Sequence, residues 1–432
     1  MSMTIELTPF LQLIFVLAVL LVVAKSAAYL SIRAHQPAVL GEILVGLLLG
    51  PTLLNFLHLP FLEGDVLSAI LAELSEIGVL LLMFVAGLEL HLADLLRNGK
   101  VSAFAGTLGV LLPVVFGWGL GRLSGCGNQE ALFLGLTLGA TSVSISAQTL
   151  MELKVLRSRV GLGLLGAAVF DDVLVILLLS AFLAFTGGNG GIGVVLAIFG
   201  RMIVFFGLSA AFGLWALPFL VRRIARLPIS QGVLTLGVVI MFVYSLAAEL
   251  MGGMAAITGA FLAGLMFSRS PEKERLERGM SALAYGFFVP LFFINIGLAV
   301  NLRALDVSAI WLLIGLIIVA VLTKMAGAGL GAYLAGFNRR EAIQLGAGMV
   351  SRGEVGLILA TVGMNNGLMS EAVFSNIIGV VLVSTLVTPP LLRWLFKPVP
   401  TPAPAATPAP AAPTTVVSEK QAERLESKQE VD

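Results

Sequence analysis

At 432 residues, 58% hydrophobic and only 12% charged, the chain carries about half the charge of an ordinary soluble domain and reads as an all-α polytopic membrane protein. A net charge of +1 leaves no basic domain to neutralise phosphates, which excludes nucleic acid as a partner. The single cysteine, Cys126, excludes an internal disulfide framework and a cysteine zinc site. His35, His58 and His91 are too scattered for a histidine metal site.

Met1 to Thr8 holds an acid and no basic residue, so the first hydrophobic run is expected to be retained rather than cleaved as a signal. Apolar windows bounded by charge, Gly or Pro then predict thirteen spans. They fall at about 9–31, 38–56, 67–90, 101–121, 130–150, 159–185, 192–221, 230–250, 253–267, 279–300, 308–335, 340–364 and 371–396. Basic residues gather in alternate loops: Arg33; Arg97 and Lys100; Lys154, Arg157 and Arg159; Arg222, Arg223 and Arg226; Arg269, Lys273, Arg275 and Arg278; Arg339 and Arg340; Arg393 and Lys397. The loops between them hold only Arg122 and Arg303. By the positive-inside rule the N-terminus is expected outside and the C-terminus in the cytoplasm.

Three patterns recur in order, seven spans apart. The Gly41 and Gly46 spacing of the second span returns at Gly259 and Gly264 in the ninth. The third ends Phe84-Val-Ala-Gly87-Leu and the tenth Ile294-Asn-Ile-Gly297-Leu. The fifth opens Glu130-Ala131 and the twelfth Glu341-Ala342. Because seven is odd, a duplication with this offset predicts two inverted repeats, an architecture that places a transporter's site at mid-membrane. Residues 397–432 begin Pro/Ala/Thr-rich and end with mixed charge, and are expected to form a disordered cytoplasmic tail.

The polar residues that fall at mid-span carry the chemistry. Asp171 and Asp172 sit inside an apolar run, Asp171 twelve residues past Arg159 and so ~18 Å deep. An acid there costs at least ~2.5–3.5 kcal/mol. Lys324 lies midway along the eleventh span, Arg352 and Glu354 lie in the twelfth, and Thr141, Ser142, Ser144 and Ser146 in the fifth. The formal charges nearly cancel, as buried charges require. The fifth and twelfth spans are expected to be broken helices, at Ala140-Thr141-Ser142 and at Gly346-Ala347-Gly348. Their half-helix ends would bring backbone dipoles to the site. Glycines such as Gly327, Gly329 and Gly331 are expected to serve close packing.

An aspartyl protease also buries two acids, but its dyad shares a proton across about 3 Å, and consecutive helix residues point ~100° apart. Neither a His-Glu-x-x-His motif nor a glycine-rich phosphate loop occurs. A carrier driven by an ion gradient is the better reading, with carboxylates that exchange H⁺ for a hard cation. The protease remains the remote alternative.

The motifs Gly41-Glu-Ile-Leu-Val-Gly46, Phe84-Val-Ala-Gly-Leu-Glu89, Ala140-Thr-Ser-Val-Ser144, Phe170-Asp-Asp172, Thr323-Lys324 and Ser351-Arg-Gly-Glu-Val-Gly356 together resemble the bacterial monovalent cation–proton antiporters, the family of NapA and the Kef-type proteins. The resemblance covers about residues 10–396. It implies an antiporter fold like that of NhaA and NapA, with two broken crossing helices, in a homodimer of the bacterial inner membrane. A dimerisation part (about 9–90 and 230–300), a linker helix (about 192–221) and a core part (about 101–185 and 308–396) would move in an elevator motion. By the same resemblance Asp172 would bind the cation; with Asp171 and the mid-span Thr141 and Ser142 it makes up the expected ion-binding set. Asp171 would pair with Lys324, while Arg352 and Glu354 compensate charge. Adjacent aspartates with the lysine resemble the electrogenic Na⁺(Li⁺)/H⁺ branch; Kef-type K⁺/H⁺ exchange is the alternative. No cofactor and no nucleotide-binding regulatory domain are expected.

Overall fold

The computed structural model describes residues 8–186, 192–301, 303, 310–365 and 367–396. Within them every predicted span holds helix, and no strand occurs among the described residues. The tail expected at 397–432 lies outside them. The helices are α1 (Pro9–Arg33), α2 (Ala38–Leu49), α3 (Gly64–Glu89), α4 (Leu92–Arg97), α5 (Gly99–Leu123), α6 (Asn128–Gly139), α7 (Val143–Glu152), α8 (Arg159–Thr186) and α9 (Ile192–Ala211). They continue as α10 (Leu217–Ile224), α11 (Gly232–Ala247), α12 (Ala256–Phe267), α13 (Lys273–Leu283), α14 (Val289–Leu298), α15 (Ile310–Leu334), α16 (Arg339–Gly348), α17 (Glu354–Asn365) and α18 (Glu371–Leu395). Ten helical stretches among the described residues are long and apolar enough to cross a membrane, and the protein is a multi-pass membrane protein.

Proline and glycine punctuate the spans in readable ways. Pro9 opens α1, where its missing N–H costs nothing, and the Thr8 hydroxyl accepts from the Leu11 N–H at 3.4 Å. Gly50-Pro51 stops α2 after twelve residues, so the second span is shorter than the predicted 38–56. Three π-helical turns lie inside the spans, at Phe212–Ala216, Ala248–Gly252 and Ala284–Phe288. Two of them come just before Pro218 and Pro290. A proline clashes with the carbonyl four residues back, and a widened turn makes room for it.

Two packing groups form. In one, α5 packs on α6, α8 and α15, and α15 packs on α16 and α18. In the other, α2 packs on α1 and α14, and α12 on α3 and α11. The second group is drawn together where glycine lets backbones touch. A Cβ on Gly46 would meet the Ile294 carbonyl and one on Gly297 the Ile43 carbonyl, which joins α2 to α14. A Cβ on Gly87 would meet the Phe261 carbonyl and one on Gly264 the Phe84 carbonyl, which joins α3 to α12 in the same reciprocal manner. Gly327 and Gly331 press α15 onto the Leu108 and Phe104 carbonyls of α5, the packing role expected of them.

Candidate functional site

Both crossing spans are broken. The fifth gives α6 and α7, parted at Ala140-Thr141-Ser142 where the sequence placed the break. The twelfth gives α16 and α17, but α16 runs through Gly346-Ala347-Gly348 and the break falls at residues 349–353, just beyond. The glycines there serve packing instead: a Cβ on Gly346 would strike the Met325 carbonyl of α15.

The two breaks are sewn together. The Ser142 N–H donates to the Ser351 carbonyl at 2.9 Å, and the Ser351 hydroxyl donates to the Ser142 carbonyl at 2.6 Å. The Ser146 hydroxyl donates to the Gly348 carbonyl at the end of α16 and lies 2.9 Å from the Ser351 hydroxyl. Unwound backbone at this depth has no water to satisfy it, so such cross-bonds make the breaks possible.

The free carbonyls at the C-terminal end of α6 carry partial negative charge, and two buried cations meet them. Lys324, fully buried, donates to the Gly139 carbonyl and to both carboxylate oxygens of Asp171, at 3.1 and 3.2 Å. Arg352, 1% exposed, donates to the Leu138 carbonyl at 2.7 Å, to the Ala320 carbonyl of α15 at 3.0 Å and to the Val350 carbonyl at 3.0 Å. The Thr385 hydroxyl of α18 in turn donates to the Arg352 carbonyl. The guanidinium fork thus joins three chain segments, and the Arg352 carbonyl adds α18 as a fourth.

Asp171 and Asp172 face different ways, as adjacent helix residues must. Asp171 is fully buried against Lys324, with the Thr141 hydroxyl beside its carboxylate. Asp172, 7% exposed, turns from the lysine toward α12, where the Thr258 hydroxyl donates to Asp172 Oδ2 at 3.0 Å. There Asp172 lines a cavity of about 10 Å³, the space of roughly one water. The other walls are Met83, Val143, Leu165, Val169, Ile257, Thr258 and Phe261. Ser142 is fully buried, its hydroxyl 2.9 Å from that of Ser144. Of the predicted residues, Asp171, Asp172, Thr141, Ser142, Lys324 and Arg352 therefore converge on one region. The Glu354 side chain lies outside the described residues.

Thr258 was not legible in the sequence. A lone threonine in a short apolar span reads as packing, since its hydroxyl can bond within its own helix. Arg201 donates to the Leu250 and Met251 carbonyls of the Ala248–Gly252 turn, at 2.6 and 3.0 Å.

Residues 16–397 match the family profile described as "Sodium/hydrogen exchanger, transmembrane". The Na(+)/H(+)-K(+) antiporter GerN of Bacillus cereus is 38% identical over 385 residues, which cover 89% of this chain and 96% of the relative. The Na(+)/H(+) antiporter of Enterococcus hirae is 37% identical over 390 residues, 90% of this chain and 99% of that one. The solved structure of the sodium proton antiporter MjNhaP1 from Methanocaldococcus jannaschii at pH 8 superposes with a TM-score of 0.63 at 18% identity, over 90% of this chain and 96% of the other. That likeness extends to the fold.

Proposed function

The chain belongs to the sodium/hydrogen exchanger transmembrane family, and from that premise we propose that it is a secondary active antiporter exchanging Na⁺ (and Li⁺) for H⁺. One observation carries the reading: a buried acid pair in which one carboxylate is neutralised by Lys324 and the other faces a cavity. A buried carboxylate that faces a cavity at mid-membrane can take up a mobile cation, and a proton or Na⁺ each suits that place. Asp172 binds either in turn. Asp171 is the partner of Lys324, while Thr141 and Ser142 bring oxygen atoms to the cation. Arg352, with Glu354, balances charge. This is a carrier's chemistry rather than an enzyme's, since the two carboxylates turn to different partners and form no shared-proton dyad.

The proposed architecture is thirteen spans in two inverted repeats, with the N-terminus outside and the C-terminus in the cytoplasm of a bacterial inner membrane. Reciprocal glycine contacts support the repeats, because seven-span duplication maps Gly46 against Gly297 onto Gly264 against Gly87. The two packing groups support a core part sliding against a dimerisation part in a homodimer, with α9 and α10 as linker. Two carboxylates and one lysine favour electrogenic exchange. K⁺/H⁺ exchange is kept as a second reading, because the GerN relative is named for both Na⁺ and K⁺.

The test is exchange in proteoliposomes with Na⁺, Li⁺ and K⁺ offered singly. The proposal expects Na⁺ and Li⁺ to dissipate an imposed pH gradient. Dissipation by K⁺ alone would replace it with the second reading.

A further inference from the structure

Resting on the antiport reading, we propose that Thr258 is a positioning residue for exchange, supplied to Asp172 from the opposite wall of its cavity. Asp172 belongs to α8 and Thr258 to the first turn of α12, which lie in different packing groups. The Thr258 side chain is buried and its hydroxyl is spent on Asp172 Oδ2 at 3.0 Å. Among the described residues, every other side chain around this cavity is apolar. One threonine therefore supplies the polar side of an otherwise oily wall.

The chemistry of a hydroxyl suits this place. It donates one proton and keeps two lone pairs. Donation to a carboxylate favours the ionised form over the protonated one. A cation arriving at Asp172 would meet the same oxygen as an acceptor, and hard cations prefer oxygen ligands. Thr258 thus strengthens the cation's hand in its competition with the proton. Asp171 neighbours Asp172 on its own helix, Lys324 of α15 acts on both carboxylates, and Arg352 at the α16–α17 break acts on Asp171. The walls from α3, α7 and α12 bring no charge to the cavity. Because donor and carboxylate belong to different packing groups, the bond exists only in arrangements that bring α8 and α12 together.

Thr258→Val keeps the shape and removes the hydroxyl; Thr258→Ser keeps the hydroxyl. In proteoliposomes, Thr258→Val is expected to raise the Na⁺ KM by about tenfold, leave kcat within about twofold and move the half-maximal pH of exchange upward. Thr258→Ser is expected to restore both KM and pH profile. An unchanged KM and pH profile in Thr258→Val, beside a wild type that exchanges Na⁺ for H⁺, would overturn the role of Thr258 alone. So would a Thr258→Ser variant as impaired as Thr258→Val, which would mark a packing role. A wild type that exchanges neither Na⁺ nor Li⁺ would remove the antiport reading and this proposal together.

Discussion

Lys324 Nζ stands 3.1 Å from Asp171 Oδ1 and also donates to the Gly139 carbonyl, so one ammonium group ties together α15, α8 and the broken end of α6. Both side chains of the ion pair are fully buried. A pair like this is weak proof of stability while intact, but removal of one partner strands the other charge. Lys324→Ala is expected to cost about 3–5 kcal/mol, read as a lower Tm of the detergent-solubilised protein. Lys324→Ala with Asp171→Asn should recover part of that loss, because no buried charge is left alone. A Tm unmoved by Lys324→Ala would mean the pair is not formed in the membrane.

Arg352 offers a sharper case, because its partners are carbonyls rather than a carboxylate. Its guanidinium satisfies Leu138, Ala320 and Val350 at once. A lysine carries the charge but lacks the planar fork. Arg352→Lys and Arg352→Gln are therefore both expected to lower Tm, with a loss of about 3 kcal/mol or more for Gln. Full rescue by Lys would show that charge alone matters at this position.

The cross-stitch between the breaks predicts coupling. Ser351→Ala and Ser146→Ala each remove hydroxyl contacts that link α7 to the end of α16. Each is expected to cost about 1 kcal/mol. The double variant should fall short of the sum by about 0.5 kcal/mol or more, since the two hydroxyls share one network. Strict additivity in thermal or chemical unfolding would mean that the two breaks are held independently.

These residues also show how far the sequence could be read. The break at Ala140-Thr141-Ser142 was visible because small and hydroxylic residues interrupt an apolar run, and the acid pair and Lys324 were visible because lipid makes charge costly. The second break was placed too early, at Gly346-Ala347-Gly348. A glycine in a membrane helix signals close approach as readily as a break. In α16 the helix ends only where Ser351 and Arg352 give the backbone other partners. Thr258 stayed hidden because its partner lies 86 residues away on a helix the local pattern cannot orient. Contacts of this kind follow from how the two packing groups meet, which no local period encodes.

Charge counting leads to a prediction about voltage. In the proposed mechanism two carboxylates and one lysine offer more than one proton-exchanging group, which leaves room for unequal numbers of Na⁺ and H⁺. The exchange rate is expected to change when a membrane potential is imposed with a K⁺ gradient and valinomycin, each elementary charge being worth about 2.3 kcal/mol per 100 mV. A rate indifferent to potential would mean one-for-one exchange.

The most direct measurement compares the wild type with Asp172→Asn in proteoliposomes carrying an imposed pH gradient, to which Na⁺ is then added. Asparagine keeps the shape but neither titrates nor carries the negative charge that holds the cation. The wild type should collapse the gradient on Na⁺ addition and do so with a higher apparent KM as the pH is lowered, while the variant should leave the gradient standing. A variant that collapses it as fast as the wild type would take Asp172 out of the transport path.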